Sequence, residues 1–180
     1  MHDAGFHVIA PELRPSGPPH AVGWVASAAG PLHAADVPAP LALIGHGTAG
    51  PLLPALARTQ RAARRQIGGY VFVDATLPRA GSQTHLDLLR AADPVAAEHI
   101  HADLHNDHAG HAHDVWTEPL PPAIDWPDAP CGYIHTGAEG TVTGPLDWWA
   151  RSAEQRGWLV DTTGRELIVT LPEIIDRLAG

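Results

Sequence analysis

The sequence predicts an α/β fold: one domain with a mostly parallel sheet flanked by helices. Three observations predict it. Short apolar runs alternate with longer helix-forming segments over all 180 residues. Most of those runs are apolar without alternation, as expected of strands covered on both faces. Hydrophobic residues make up 44% and charged residues only 17%, enough apolar material for a core and too little charge for a disordered chain.

Taken in order, "FHVIA" (residues 6–10) reads as a short buried strand ending at Pro11. "RPSGPPH" (14–20) is too rich in proline and glycine for anything but a loop. "AVGWVASAAGPLHAA" forms a weak helix interrupted at Gly30-Pro31, and "PLALIGH" is the second strand. "GPLLPALARTQRAARRQ" follows as a helix, with Pro51 near its first turn, where a missing N–H costs little. "GGYVFVDATLP" is the third strand, residues 83–105 are helical, and residues 106–130 form an irregular excursion rich in His, Asp and Pro. "CGYIHTG" is the fourth strand. "GPLDWWARSAEQRG" is a helix stopped by Gly157, "WLVDTT" is the fifth strand, and "LPEIIDRLAG" is a closing helix. No internal repeat is visible.

Charge narrows the function. The net charge is −9 and every basic residue is arginine, so there is no electrostatic footprint for nucleic acid. Cys131 is the single cysteine; an internal disulfide is ruled out, and a small buried residue is expected there. No charged segment leads into a long apolar run and no stretch is long enough to span a bilayer, so a cytoplasmic protein without a membrane partner is expected. The Ala-, Arg-, Gly- and Pro-rich composition suggests a high-GC bacterial source.

The chemistry concentrates in "LALIGHGTAGPLLPAL" (41–56). Gly45, Gly47 and Gly50 match the G-x-G-x-x-G dinucleotide fingerprint, in which glycines permit a tight turn and close approach to a pyrophosphate. Asp74 then ends the next strand, near where a ribose-binding acid belongs. Prolines at 51 and 54 and the preceding "FHVIA" strand weigh against that alternative. The same turn also has the form of a G-x-S-x-G nucleophile elbow, with glycine in the serine position.

The segments "LALIGHGTAGPLLPALA", "IGGYVFVDATLP", "WPDAPCGYIHTG" and "RGWLVDTTGRELIVTLPEIIDRL" resemble, in order and spacing, the small actinobacterial α/β-hydrolase-fold proteins. The resemblance spans nearly the whole chain. It implies an elbow serine at position 47, a histidine at 165 and an acid at Glu139 or Asp161. Here those first two positions hold Gly47 and Arg165. Glycine brings no nucleophile, and an arginine that stays protonated is no general base. The neighbouring Thr48 is not the residue an elbow aims at its site, and His46 is expected to point into sheet–helix packing.

The resemblance further implies a strand between "FHVIA" and "PLALIGH", with a loop supplying an oxyanion N–H; neither has a counterpart here. Either "FHVIA" pairs directly with "PLALIGH", or a partner chain supplies the strand, or more chain lies upstream. The expectation is therefore an α/β-hydrolase-like protein lacking the Ser–His pair. It would bind a small molecule or peptide through His46, Gly47, Thr48 and Arg165, or run a non-hydrolytic lyase, epimerase or isomerase step. An esterase with an unrecognised nucleophile and a dinucleotide-binding protein stand as alternatives. No cofactor is expected, and a homo-oligomer or a partner chain completing the sheet is.

Residues 82–124 read as a cap-like excursion within the single domain 1–180. Its stretch "HIHADLHNDHAGHAH" (99–113) holds six histidines. On a helix, His101, His105 and His108 would share a face and could bind Zn²⁺, Ni²⁺ or Cu²⁺, with Asp103, Asp107 or Asp114 nearby. Gly110 and the absence of any defined zinc spacing favour a solvated cap loop. Trp116, Trp126, Trp148 and Trp149 suit either a ligand wall or plain core packing.

Overall fold

The computed structural model of the chain describes residues 5–14, 17–35, 37–81, 83–106, 110–137 and 145–180, with residues 105, 106, 110–113 and 145 described by backbone alone. Four strands form one parallel sheet in chain order: β1 (Leu41–His46), β2 (Ile67–Val73), β3 (Cys131–Ile134) and β4 (Leu159–Asp161). The parallel sheet predicted from the apolar runs is present.

The runs lack alternation because both faces of the sheet's centre are covered. On one face, Tyr70 and Phe72 of β2 and Tyr133 of β3 join a core with α1 (His20–Ala34), α2 (Leu53–Ala62) and α6 (Pro145–Gln155). On the other, Val71, Val73 and Ile134 pack against Leu171 and Ile174 of α7 (Leu167–Ala179). Every one of these six strand side chains is buried. At roughly 1.5–3 kcal/mol for each large apolar side chain, this three-layer burial is the main source of stability.

One expected strand is not in the sheet. Residues 6–10 run without strand structure, and no backbone hydrogen bond joins them to β1. An apolar pentapeptide is a strand only when a neighbour accepts its backbone groups. β1 is consequently an edge of the described sheet.

Three helix expectations also change. The first helix runs through Gly30-Pro31 to Ala34, with Ala35 donating to Pro31 O at 3.0 Å. Burial of Ala21, Val25 and Ala28 outweighs the bond lost at Pro31, and Glu118 caps the other end by accepting the N–H groups of His20 and Ala21. Residues 83–105 divide into α3 (His85–Ala92) and α4 (Pro94–Asn106), because Pro94 can open a helix but not continue one. The excursion is not wholly irregular either: α5 spans Gly110–Thr117, so Gly110 begins a helix instead of breaking one. None of the described helices is long and apolar enough to cross a membrane.

α3 starts with a capping box, in which Thr84 Oγ1 accepts from Asp87 N and the Asp87 carboxylate accepts from Thr84 N, both at 3.0 Å. This fixes His85 beneath the excursion. Its ring lies 2% exposed and edge-on to Trp116, and neither ring nitrogen has a partner among the described residues. Burial pushes the imidazole down to about 4, with only partial opposition from the Glu118 charge. The folded state therefore binds fewer protons than the unfolded chain between about pH 6.5 and 4. Stability should be fully present above pH 6.5 and fall on acidification toward pH 4, by up to about 3 kcal/mol from this group. His85→Phe should raise the midpoint of urea unfolding at pH 5 more than at pH 8. An equal effect at both values would show that His85 is not the proton-linked group.

Candidate active site at the carboxyl edge of the sheet

The strand register brings four C-terminal ends into one row. His46 lies beside Val73, Val73 beside Ile134, and Ile134 beside Asp161. The residues that follow, Gly47, Asp74 and His135, therefore emerge together along the carboxyl edge, where open α/β sheets present their sites.

β1 leaves the sheet through a sharp turn. Gly47 has φ +58°, a left-handed conformation that costs other residues about 1–2 kcal/mol. Residues Gly47–Leu52 wind as a 3₁₀ turn before α2 begins at Leu53, a later start than the sequence suggested. Pro51 has no N–H to give the ladder there. The flanking glycines have packing reasons. A Cβ on Gly50 would stand 2.2 Å from Thr76 O, and one on Gly45 would stand 3.1 Å from Leu53. Thr76 N donates to Gly47 O at 3.3 Å, tying the turn to the segment after β2. Above Gly47 itself a Cβ would meet nothing within 4 Å. The three glycines are thus accounted for by one tight strand-to-helix crossing.

One strand over, Asp74 follows β2 with φ +43°, an uncommon conformation for a residue other than glycine. Its carboxylate explains the strain. It accepts from His135 Nδ1 at 2.6 Å, from Thr136 N at 3.0 Å and from Thr136 Oγ1. Burial would raise its pKa, but the hydrogen bonds from Thr136 and His135 outweigh that and hold it below the ordinary carboxylate range. An ionised carboxylate only accepts, so Nδ1 carries the proton, and in the neutral ring Nε2 keeps the lone pair. His135 is 6% exposed. The arrangement is an imidazole locked in one tautomer and one orientation, as a general base must be.

The site residues expected from the sequence fall in different places. His46 is exposed, not packed between sheet and helix. β1 lies at the edge, and α7 covers β2 and β3 instead, leaving the Ala42–Ile44–His46 face of β1 open. Thr48 is exposed beside the turn. Arg165 is bound to two carboxylates: its guanidinium donates to Asp161 at 2.7 Å and to Glu173 at 2.9 Å, and its Nε donates to Thr163 Oγ1 at 3.2 Å. Those hydrogen bonds push its pKa up. They also leave Asp161 depressed despite some burial. Glu139 and the side chains of His105 and His108 lie outside the described residues, and no metal-ligand cluster occurs among the described ones. Cys131 is buried, and burial raises its thiol to about 12, so it is no nucleophile at neutral pH. Trp149 is fully buried, and Trp126 packs edge-on to Tyr70, Phe72 and Trp158. Both serve as core packing.

Sequence reasoning missed His135 and Thr136 and gave Asp74 another role. The available signal was a polar residue directly after each of two apolar strands. It becomes a pair only when β2 and β3 are known to be neighbours in register.

Comparison with solved structures agrees with this architecture. An extracellular alpha/beta-hydrolase from a Paenibacillus species superposes with a TM-score of 0.53, over 98% of this chain and 87% of that one, at 16% identity. The fold is that of an α/β-hydrolase. That neighbour is described as sharing structural and functional homology with tobacco salicylic acid binding protein 2; the likeness of this chain to it extends to the fold. No protein-family model matches the sequence, and no curated protein matches it.

Removing the Asp74 carboxylate strands a buried imidazole N–H and two Thr136 donors. Asp74→Ala should cost about 1–3 kcal/mol at pH 7 in chemical denaturation. Because the folded pKa is depressed, this stabilisation is present above about pH 3.9 and lost as pH falls through the lower folded value. The gap between wild type and Asp74→Ala should therefore narrow on acidification below pH 4. A gap independent of pH would mean the carboxylate charge is not what holds His135.

Proposed function

We propose that this protein uses the α/β-hydrolase fold without covalent serine catalysis. In this reading it binds a small molecule at the carboxyl edge of the sheet and moves a proton, in a lyase-, epimerase- or isomerase-type step. The observation that carries the reading is the Asp74–His135 pair, set one strand from a turn that presents no side chain at Gly47. In the elbow reading, Gly47 takes the place of the nucleophile, and its φ of +58° is the strained geometry such a turn imposes. Arg165, in the base position that the resemblance implies, supplies fixed positive charge beside two carboxylates and no lone pair.

In the proposed step His135 Nε2 takes a carbon-bound proton from the ligand. Asp74 steadies the imidazolium through Nδ1, and the space over Gly47 admits the ligand. Buried, and hydrogen-bonded through Nδ1 alone among the described residues, the imidazole is suited to removing a proton without becoming covalently attached. A cytoplasmic location remains part of the proposal.

Three measurements test it. A fluorophosphonate activity probe should label no serine of the wild-type protein; labelling at any serine would restore the esterase reading. Ring opening of 5-nitrobenzisoxazole, which needs only removal of one carbon-bound proton, should run at least about 10-fold slower in folded His135→Gln than in wild type. Gly47→Ser should fold, with a loss of about 1–2 kcal/mol from its left-handed φ, and retain that ring-opening rate. Equal rates in wild type and His135→Gln would remove His135 from the chemistry. NAD and NADP should leave the melting temperature unchanged, whereas a rise with either would favour the dinucleotide reading.

A further inference from the structure

Two arginines border one cavity, and neither is paired with a carboxylate. The cavity has a volume of about 610 Å³. Pro78, Arg79 and Gln83 line it from the segment after β2, Trp126 from the segment before β3, and Arg156 and Trp158 from the link between α6 and β4. Gly47, Asp74 and His135 are not among its lining residues. Its size is that of a small-molecule site.

Local backbone structure puts these groups there. Gly157, with φ +74°, ends α6 in a left-handed turn, and Trp158 N donates back to Ala153 O at 3.2 Å. The reversal brings Arg156 and Trp158 side by side: the guanidinium carbon lies 5.2 Å from the centre of the indole ring, a cation–π contact. Trp158 stacks on Phe72, with ring centroids 5.5 Å apart, and stands edge-on to Trp126. Phe72 is fully buried, so this aromatic wall is fixed to the core. Trp126, half-buried, both packs on that core and borders the cavity. Arg79 comes from a separate segment, anchored by the fully buried Ala75 and Leu77.

The charges are arranged against expectation. The chain has a net charge of −9, and Arg14, Arg61, Arg90, Arg151 and Arg165 each pair with a carboxylate. Among the described residues Arg79 and Arg156 pair with none. They act on each other instead. Arg156 is held below the ordinary arginine range, by partial desolvation first and by the Arg79 charge second. A cation at a helix C-terminus is favourable in itself, which accounts for Arg156. It does not account for a second cation brought near the first.

We propose that this cavity binds a small phosphate monoester with a flat apolar body. The phosphate would lie between Arg79 and Arg156, and the body against Trp126 and Trp158. Two features select a phosphate monoester over a carboxylate. Two guanidiniums bring two positive charges, which a monoester of charge about −1.5 to −2 at pH 7 offsets and a carboxylate does not. Three phosphate oxygens can also accept from two planar forks at once, whereas a carboxylate matches one. The tryptophans select the body, since a flat ring packs on indole and a bare inorganic ion leaves that surface uncovered. This binding is separate from the proton transfer proposed for His135 and does not depend on it.

The probe is 1-naphthyl phosphate, titrated calorimetrically into the full chain at about pH 7.5 and low salt. Saturable binding at a single site is expected, at least about 10-fold tighter than for inorganic phosphate or 1-naphthoate. Arg79→Gln and Arg156→Gln should each weaken it at least about 10-fold. Arg177→Gln, which removes an exposed arginine of α7, should leave it unchanged. Arg156→Lys keeps the charge and loses the planar fork, so its affinity should fall between those of wild type and Arg156→Gln. Thermal melts verify that the variants are folded. Any of four results would overturn the proposal. There could be no saturable heat at millimolar probe. The affinity could be the same in wild type, Arg79→Gln and Arg156→Gln, placing the probe elsewhere. 1-Naphthoate or uncharged 1-naphthalenemethanol could bind as tightly as the phosphate, marking a plain apolar cavity or a carboxylate site. Or Arg177→Gln could weaken binding as much as the other two, leaving only an effect of net charge.

Discussion

The crossing from β1 into α2 is the constraint on which the rest depends. There the chain must turn from strand to helix while lying against the segment that follows β2, close enough that a methyl group at position 50 would overlap Thr76 O. Glycine at 45, 47 and 50 makes this approach possible, through two close contacts and one left-handed residue. With the crossing in place, α2 lies over β1 and β2, and the C-terminal ends of β1, β2 and β3 come to one level. The Asp74–His135 pair exists because those ends coincide.

Electrostatics at this edge is divided between two networks. Asp74 is satisfied by one imidazole and one threonine, and the second imidazole nitrogen has no hydrogen bond among the described residues. Asp161, one strand further, is satisfied by Arg165 and Thr163, with Glu173 sharing the guanidinium. Arg165 is largely in solvent, so its ion pairs position the loop before α7 more than they stabilise the fold. The backbone strain sits with the first network, at Asp74, whose φ is +43°.

Much of the fold was legible in the amino-acid order. Continuous apolar runs such as "YVFV" announce strands covered on both sides, and the order of strands and helices followed from them. The same reasoning named "FHVIA" a strand, and it is not one. Apolarity indicates burial, whereas a strand also needs a bonding neighbour. The pattern likewise placed His46 in the interior. Alternation cannot say whether a helix covers a given face, and over this part of β1 none does. Of the candidate site, Gly47 and Arg165 were singled out by the resemblance alone. His135 was not, because one histidine among 13 carries no mark of its partner.

The sequence by itself determined the α/β class and the tight glycine turn after β1, which carries no side chain at position 47. These are local matters of backbone freedom, hydrophobic periodicity and side-chain chemistry. Only the tertiary structure decided that Asp74 and His135 meet, that Arg165 is held by two carboxylates, and that β1 is an edge of the described sheet. The first and last of these depend on strand order and register, which bring Asp74 and His135 together across 61 positions. Contacts at such separation follow from how the layers pack and cannot be read from neighbours along the chain.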